Sequence, residues 1–171
     1  MTSRAGLQGC CMSSNQVRIG IVGAGGIVKQ RHLPALKAMP EVAIVAVCNS
    51  TLESSRRFCA EHLPGAEPME HWPKLVCSDD VDAVWIGTTP YMHSEIAQYA
   101  LRAGKHVFCQ ARMAMNLTEA QLMWEAAMSN PERVAMLCPP PYGMKGDAAM
   151  KRLLAEGAIG APHEVVLHSM N

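Results

Sequence analysis

Val17-Arg18-Ile19-Gly20-Ile21-Val22-Gly23-Ala24-Gly25-Gly26-Ile27-Val28 passes from a short apolar run straight into a glycine-rich bend. The run predicts a buried strand over residues 17–22, and the bend opens a helix that continues through Lys37. Gly23 and Gly25 allow a sharp turn that brings a pyrophosphate against a helix N-terminus, where unpaired N–H groups and the positive dipole end favour an anion. The stretch Gly23 to Gly26 is expected to present bare amides to a diphosphate. Gly23, Ala24, Gly25, Gly26 and Ile27 are therefore the first cofactor-binding candidates. The third glycine of the usual fingerprint is Val28 here, and the alternative is a tight strand-to-helix turn that binds nothing.

Outward from the bend, apolar runs at 42–47, 81–86, 106–109 and 133–137 alternate with longer amphipathic stretches. Several are apolar at nearly every position, as strands covered on both faces must be. The pattern predicts an α/β fold, a doubly wound parallel-sheet Rossmann architecture. Met92, Ile96, Tyr99, Ala100 and Ala103 recur at helical spacing before a Gly104 stop. Leu117, Ala120, Trp124, Ala127 and Met128 repeat that spacing after Asn116 or Thr118 as N-cap. A helix is expected over 52–60, and a loop or short edge strand over 64–73, which carries three prolines.

Residues 1–16 lack periodicity and read as a disordered leader. Pro139-Pro140-Pro141 cannot continue a central strand, so the dinucleotide-binding domain is placed at 17–138 and a connector at 139–141. A helix over 145–156, a Gly157 stop and a strand over 163–168 follow. His163 and His168 would then face opposite sides, and no metal site is expected.

Among 171 residues, 15 basic side chains balance 15 acidic ones, and 49% are hydrophobic. No global field draws in nucleic acid, and no run approaches the ~20 apolar residues of a membrane helix. No signal-peptide pattern is present, so a cytoplasmic location is expected. Seven cysteines, with no Cys-x-x-Cys pair, read as reduced thiols, several of them small buried hydrophobes. Trp72, Trp85 and Trp124 are expected to be packing residues.

At the end of the second strand, Val47-Cys48-Asn49-Ser50-Thr51 lacks the carboxylate that would hold the ribose 2′-hydroxyl of NAD. Asn49 and Ser50 would not repel a 2′-phosphate, and Arg56 or Arg57 lies within a few residues. NADP is preferred over NAD on this ground. The alternative is that Asn49 and Ser50 only cap the next helix.

Three stretches resemble the Gfo/Idh/MocA oxidoreductases: VRIGIVGAGGI with RHLPAL, then DAVWIGTTPYMHSEIAQYALRAGKHVFCQARMA, and RLLAEGAIGAPHEV. The resemblance implies that Thr88, Thr89 and Pro90 lie beside the cofactor riboses and that His93 opens the following helix near the cofactor. The alternative for His93 is an ordinary first-turn surface residue. Where the family carries Glu-Lys-Pro, this chain has Gln110, Ala111 and Arg112. The family lysine is thought to assist proton movement, and Ala111 has no titratable group with which to do so. Gln110 remains a candidate for the ribose or carboxamide, and Arg112 for orienting an anionic group without acting as a base. The alternative is a plain strand exit.

The resemblance also implies a substrate domain, of which residues 142–171 look like the first helix and strand, a truncated start. Hydride transfer between nicotinamide and a sugar or cyclitol hydroxyl is implied for the full-length form, with a small polyol or sugar as substrate. The rival reading is a noncatalytic cofactor-binding or subunit-pairing protein. Unpaired edges near 164–167 and the apolar Met150, Leu153 and Leu154 lead to the expectation of a homo-oligomer or a self-associating chain.

Overall fold

In a computed structural model, described for residues 16–138, 146–164 and 166, the chain divides into two compact units, Met1–Cys138 and Pro139–Asn171. The first is built on six parallel strands: β1 (Val17–Val22), β2 (Val42–Cys48), β3 (Glu67–Met69), β4 (Ala83–Ile86), β5 (His106–Cys109) and β6 (Ala135–Leu137). Their order is β3-β2-β1-β4-β5-β6. The chain thus winds one way from β1 to β3 and the other way from β4 to β6. That reversal opens a crevice beyond the carboxyl ends of β1 and β4, where open α/β sheets bind ligands.

Helices cover the sheet on both faces. A helical segment starts at Gly26, passes through a π-helical turn (Val28–His32) and ends as α1 (Leu33–Lys37). With α2 (Leu52–His62) it covers one face, burying Ile19, Ile21, Val47, Leu33, Leu36 and Phe58 in one cluster. On the other face, α3 (Trp72–Val76), α4 (Pro90–Arg102) and α5 (Leu117–Met128) enclose Val22, Leu75, Val84, Ile86, Ile96 and Leu101. A Cβ on Gly20 would come within 2.5 Å of Leu75 Cδ2, so a glycine in mid-strand is what lets α3 pack this close.

Local signals account for most of the element ends. Thr51 and Ser54 form a reciprocal capping box at the start of α2, and Asn116 Oδ1 accepts from Glu119 N at 2.9 Å to start α5. Gly104 stops the α4 segment at φ 74°. The expected edge strand within 64–73 is β3, and the short helix α3 behind it was not foreseen. Trp72 meets Tyr99 edge-on at 5.3 Å and Trp85 stacks on Phe108 at 3.8 Å, but Trp124 is 60% exposed and does not serve as a packing residue in this unit.

The amino edge of the sheet is tied electrostatically. Arg18 grips Asp82 through Nε at 3.0 Å and Nη2 at 2.7 Å, while its backbone N donates to Asp82 Oδ2 at 2.9 Å. The guanidinium holds the Asp82 carboxyl below the usual carboxylate range. Lys105 Nζ closes the same edge on the carbonyls of Ser78 and Val81.

In the second unit, α6 (Asp147–Ala155) has no buried residue, and Gly157 follows it at φ 72°. Residues 1–15, the three prolines at 139–141 and half of the expected strand 163–168 lie outside the described residues; His163, Glu164 and Val166 form no strand. Among the described residues, no helix is long and apolar enough to cross a membrane.

Candidate functional site

Beyond the carboxyl ends of β1, β2 and β4 lies a cleft of about 630 Å³, lined by Gly23, Ala24, Gly25, Asn49, Ser50 and Thr88, among others. Thr89, Tyr91 and Met92 from the start of α4, and Glu70, His71 and Trp72 from the β3–α3 connection, complete its walls.

The glycine bend is more tightly bonded than its sequence suggests. Gly23 N donates to Cys48 O at 2.8 Å, Ala24 N to Asn49 Oδ1 at 2.7 Å and Gly25 N to Gly23 O at 2.9 Å. Three of the four amides expected to be bare are therefore spent inside the protein. Lys29 N bonds Gly25 O at 2.9 Å, which makes Gly25 the cap of the helix and leaves the N–H groups of Gly26, Ile27 and Val28 without intrahelical acceptors. The amides left unpaired are shifted along the chain, from 23–26 to 26–28. A Cβ on Gly25 or Gly26 would meet nothing within 4 Å, so the backbone here is open to close approach. Gly23 is different, because at φ +86° its Cβ would lie 2.6 Å from Thr88 N.

Asn49 is a brace as well as part of the wall. Its Oδ1 holds the Ala24 amide, and its backbone N donates to the fully buried Ser55 Oγ at 2.9 Å. Ser55 Oγ in turn donates to Met69 O at 2.8 Å, joining the ends of β2 and β3. Ser50 is exposed at the mouth; Arg56 and Arg57 are exposed on α2 and are not among the cleft's lining residues. Thr88 Oγ1 is buried without a hydrogen-bond partner and belongs to the cleft wall, an acceptor and donor left for something else to satisfy.

The remaining candidates lie at the same sheet edge but outside that lining. Gln110 N bonds Ile86 O at 2.9 Å, and Gln110 Oε1 lies 2.7 Å from His32 Nε2. His32 is itself packed against Trp85 and Phe108, with ring centroids at 5.0 and 5.9 Å. Arg112 is exposed, and residues 111 and 112 form a bend, so this exit is not extended. His93 is not the surface residue of the alternative reading: it is fully buried, between the carbonyls of Thr88 and Arg112. Pro90 is the first residue of α4.

Sequence reasoning missed Ser55, His32, Gly87, which lines the cleft beside Thr88, and the wall from Glu70 to Trp72. For Gly87 the signal was its place straight after a strand, and for His32 its place in the RHLPAL stretch; nothing marked the others. Burial pushes the Cys48 thiol up to about 11 and the Cys109 thiol up to about 12, which suits their reading as small hydrophobes.

The family model described as "Oxidoreductase family, NAD-binding Rossmann fold" matches residues 17–137. The chain belongs to the Gfo/Idh/MocA oxidoreductase family. It is 32% identical over 152 residues to a dTDP-3,4-didehydro-2,6-dideoxy-alpha-D-glucose 3-reductase of Actinomadura kijaniata, covering 86% of this chain and 44% of that protein. It is 30% identical to an inositol 2-dehydrogenase of Klebsiella pneumoniae (strain 342) over 149 residues, 85% of this chain and 43% of the relative. The crystal structure of the 3-ketoreductase KijD10 from Actinomadura kijaniata, with TDP-benzene and NADP, superposes with a TM-score of 0.74 at 31% identity, over 85% of this chain and 45% of that one. The chain thus spans less than half the length of the relatives it matches. The match places this Gfo/Idh/MocA chain on the cofactor-domain side of such proteins, as the sheet order does.

Proposed function

We propose that this domain binds a nicotinamide dinucleotide, with the diphosphate on the free amides of Gly26, Ile27 and Val28. The observation that carries this is the open backbone at Gly25 and Gly26 over three unpaired N–H groups, at the sheet's topological switch point. The adenosine ribose would lie toward Asn49 and Ser50, and the orphaned Thr88 hydroxyl, with Thr89 and Pro90, would serve the inner ribose. Gln110 and Arg112 stand at the nicotinamide end. NADP is favoured over NAD: neither Asn49 nor Ser50 carries a charge to repel a 2′-phosphate, and the 3-ketoreductase was crystallised with NADP.

When bound, the nicotinamide ring supplies the hydride donor or acceptor. In the full-length form we infer hydride transfer at a sugar or cyclitol hydroxyl, the substrate class in the relatives' names. A second reading, a noncatalytic cofactor holder or paired subunit, is favoured by Ala111, which puts no titratable side chain where the family lysine stands. The 3-ketoreductase has also been crystallised as a lysine-to-alanine variant with TDP-benzene and NADP, so loss of a lysine side chain there is compatible with both ligands.

We place the protein in the cytoplasm and expect self-association, since Met150, Leu153 and Leu154 are 42 to 48% exposed. Light scattering that shows a monomer at high concentration would remove the last point. Fluorescence titration with NADPH tests the main one: micromolar saturation is expected. No saturable signal at millimolar cofactor discards both readings.

A further inference from the structure

His93 is completely buried, and both of its ring nitrogens face atoms that can only accept. Nδ1 lies 2.8 Å from the carbonyl oxygen of Arg112, and Nε2 lies 3.0 Å from that of Thr88. A neutral imidazole has one N–H and one lone pair. The neutral ring can therefore satisfy one of these carbonyls while turning a lone pair on the other, a cost that burial enlarges. Only the imidazolium donates to both.

The two carbonyls belong to different turns at the carboxyl edge of the sheet, of which the Thr88 turn lines the cleft. Thr88 follows β4 and buttresses the glycine bend, since the Cβ that Gly23 lacks would lie on its amide. Arg112 belongs to the bent exit from β5 that carries Gln110. The titratable groups on the elements around the ring are Tyr91, Glu95, Tyr99 and Arg102 on α4, His106 and Cys109 on β5 with Arg112 at its exit, and Glu119 and Glu125 on α5. Tyr99, Arg102 and Glu125 are exposed, and His106 Nδ1 accepts from Val134 N. Tyr91, Glu95 and Arg112 are exposed, the Glu119 carboxylate is taken by Met115 N and Asn116 Nδ2, and Cys109 Sγ bonds Gln110 O. Both hydrogen bonds of the ring go to backbone, so its own proton count decides how many turns it can hold.

We propose that His93 is a positioning residue whose protonated ring fastens the Thr88 turn to the Arg112 turn, and that loss of one proton releases one of the two. The consequence for cofactor rests on the reading under Proposed function; the latch does not.

Long-range proton–nitrogen NMR of the imidazole rings in the labelled chain tests the latch without ligand. Spectra are recorded as a series between about pH 5.5 and about pH 8.5. Two protonated ring nitrogens are expected at the lower pH and one at the higher, with amide shifts at Thr88–Thr89 or Arg112–Met113 following that change. A His93 ring with one unchanging protonation state over this range overturns the proposal. NADH then reads the consequence, chosen over NADPH because a 2′-phosphate titrates near pH 6. Affinity is expected to be about tenfold weaker at the higher pH, the scale of one hydrogen bond. His93→Asn or His93→Gln is expected to bring that dependence below about twofold, on the same scale, whereas His62→Gln, at the end of α2 and away from the cleft, keeps it. A dependence that survives in a folded His93 variant contradicts the proposed consequence. Absence of NADH binding at every pH would instead sink the cofactor reading and leave the NMR result standing.

Discussion

The side-chain oxygen of Asn49 accepts the backbone N–H of Ala24 at 2.7 Å, so the end of the second strand holds the glycine bend in shape. A residue at the expected ribose position thus also sets the curvature of the proposed diphosphate site. Asn49→Ala leaves that amide without its acceptor, and a loss of about 1–2 kcal/mol in urea unfolding is expected, with roughly tenfold weaker NADPH binding. Asn49→Asp keeps an acceptor but adds a charge, and it should shift preference from NADPH toward NADH.

Gly23 and Gly25 stand two residues apart and should respond oppositely. Gly23→Ala forces a side chain at φ +86° against Thr88, and destabilisation of about 1–3 kcal/mol is expected from strain and overpacking. Gly25→Ala adds a methyl to open space, so its thermal midpoint should barely move while NADPH affinity falls. Melting curves beside cofactor titrations separate the two effects.

Acid should loosen the amino edge of the sheet. Asp82 titrates below its unfolded value because Arg18 grips its charged form. Its contribution is complete above the ordinary aspartate range of ~3.9 and is lost as pH falls through the lowered folded value. Asp82→Asn should flatten this part of the stability profile below about pH 4, measured by urea unfolding across pH. Unchanged acid sensitivity in the variant would show that the pair does not couple folding to this proton.

Installing a lysine by Ala111→Lys is expected to leave NADPH affinity within about twofold, because a residue that serves proton movement adds little to ground-state binding. A large gain in affinity would mean that the position serves the cofactor directly.

The sheet was legible because its strands are near-continuous apolar runs and because Gly23 to Gly26 sits directly between strand and helix. Strand β1 and the start of β2 fall where apolar patterning puts them, and Asn116 and Gly104 act as the end signals they resemble. Helix α3 was not legible, since the three prolines of 64–73 read as a loop or edge strand; its support is tertiary, Leu75 seated over Gly20. Within the site, the position of the bend could be read but its bonding could not. Whether Gly23, Ala24 and Gly25 keep free amides depends on Cys48 and Asn49 as well as on the bend itself, and contacts with those two residues span about 25 positions and leave no local mark. His93 shows the same limit: its sequence position fits a helix start, while its burial depends on the carbonyls of Thr88 and Arg112.

Amide NMR of the labelled chain titrated with NADPH tests the central claim most directly, because it reports which N–H groups meet the diphosphate. The account predicts saturable shifts that are largest at Gly26, Ile27 and Val28 and extend to Thr88. Saturable shifts centred instead on the Arg18–Asp82 edge, or none at millimolar NADPH, would contradict it.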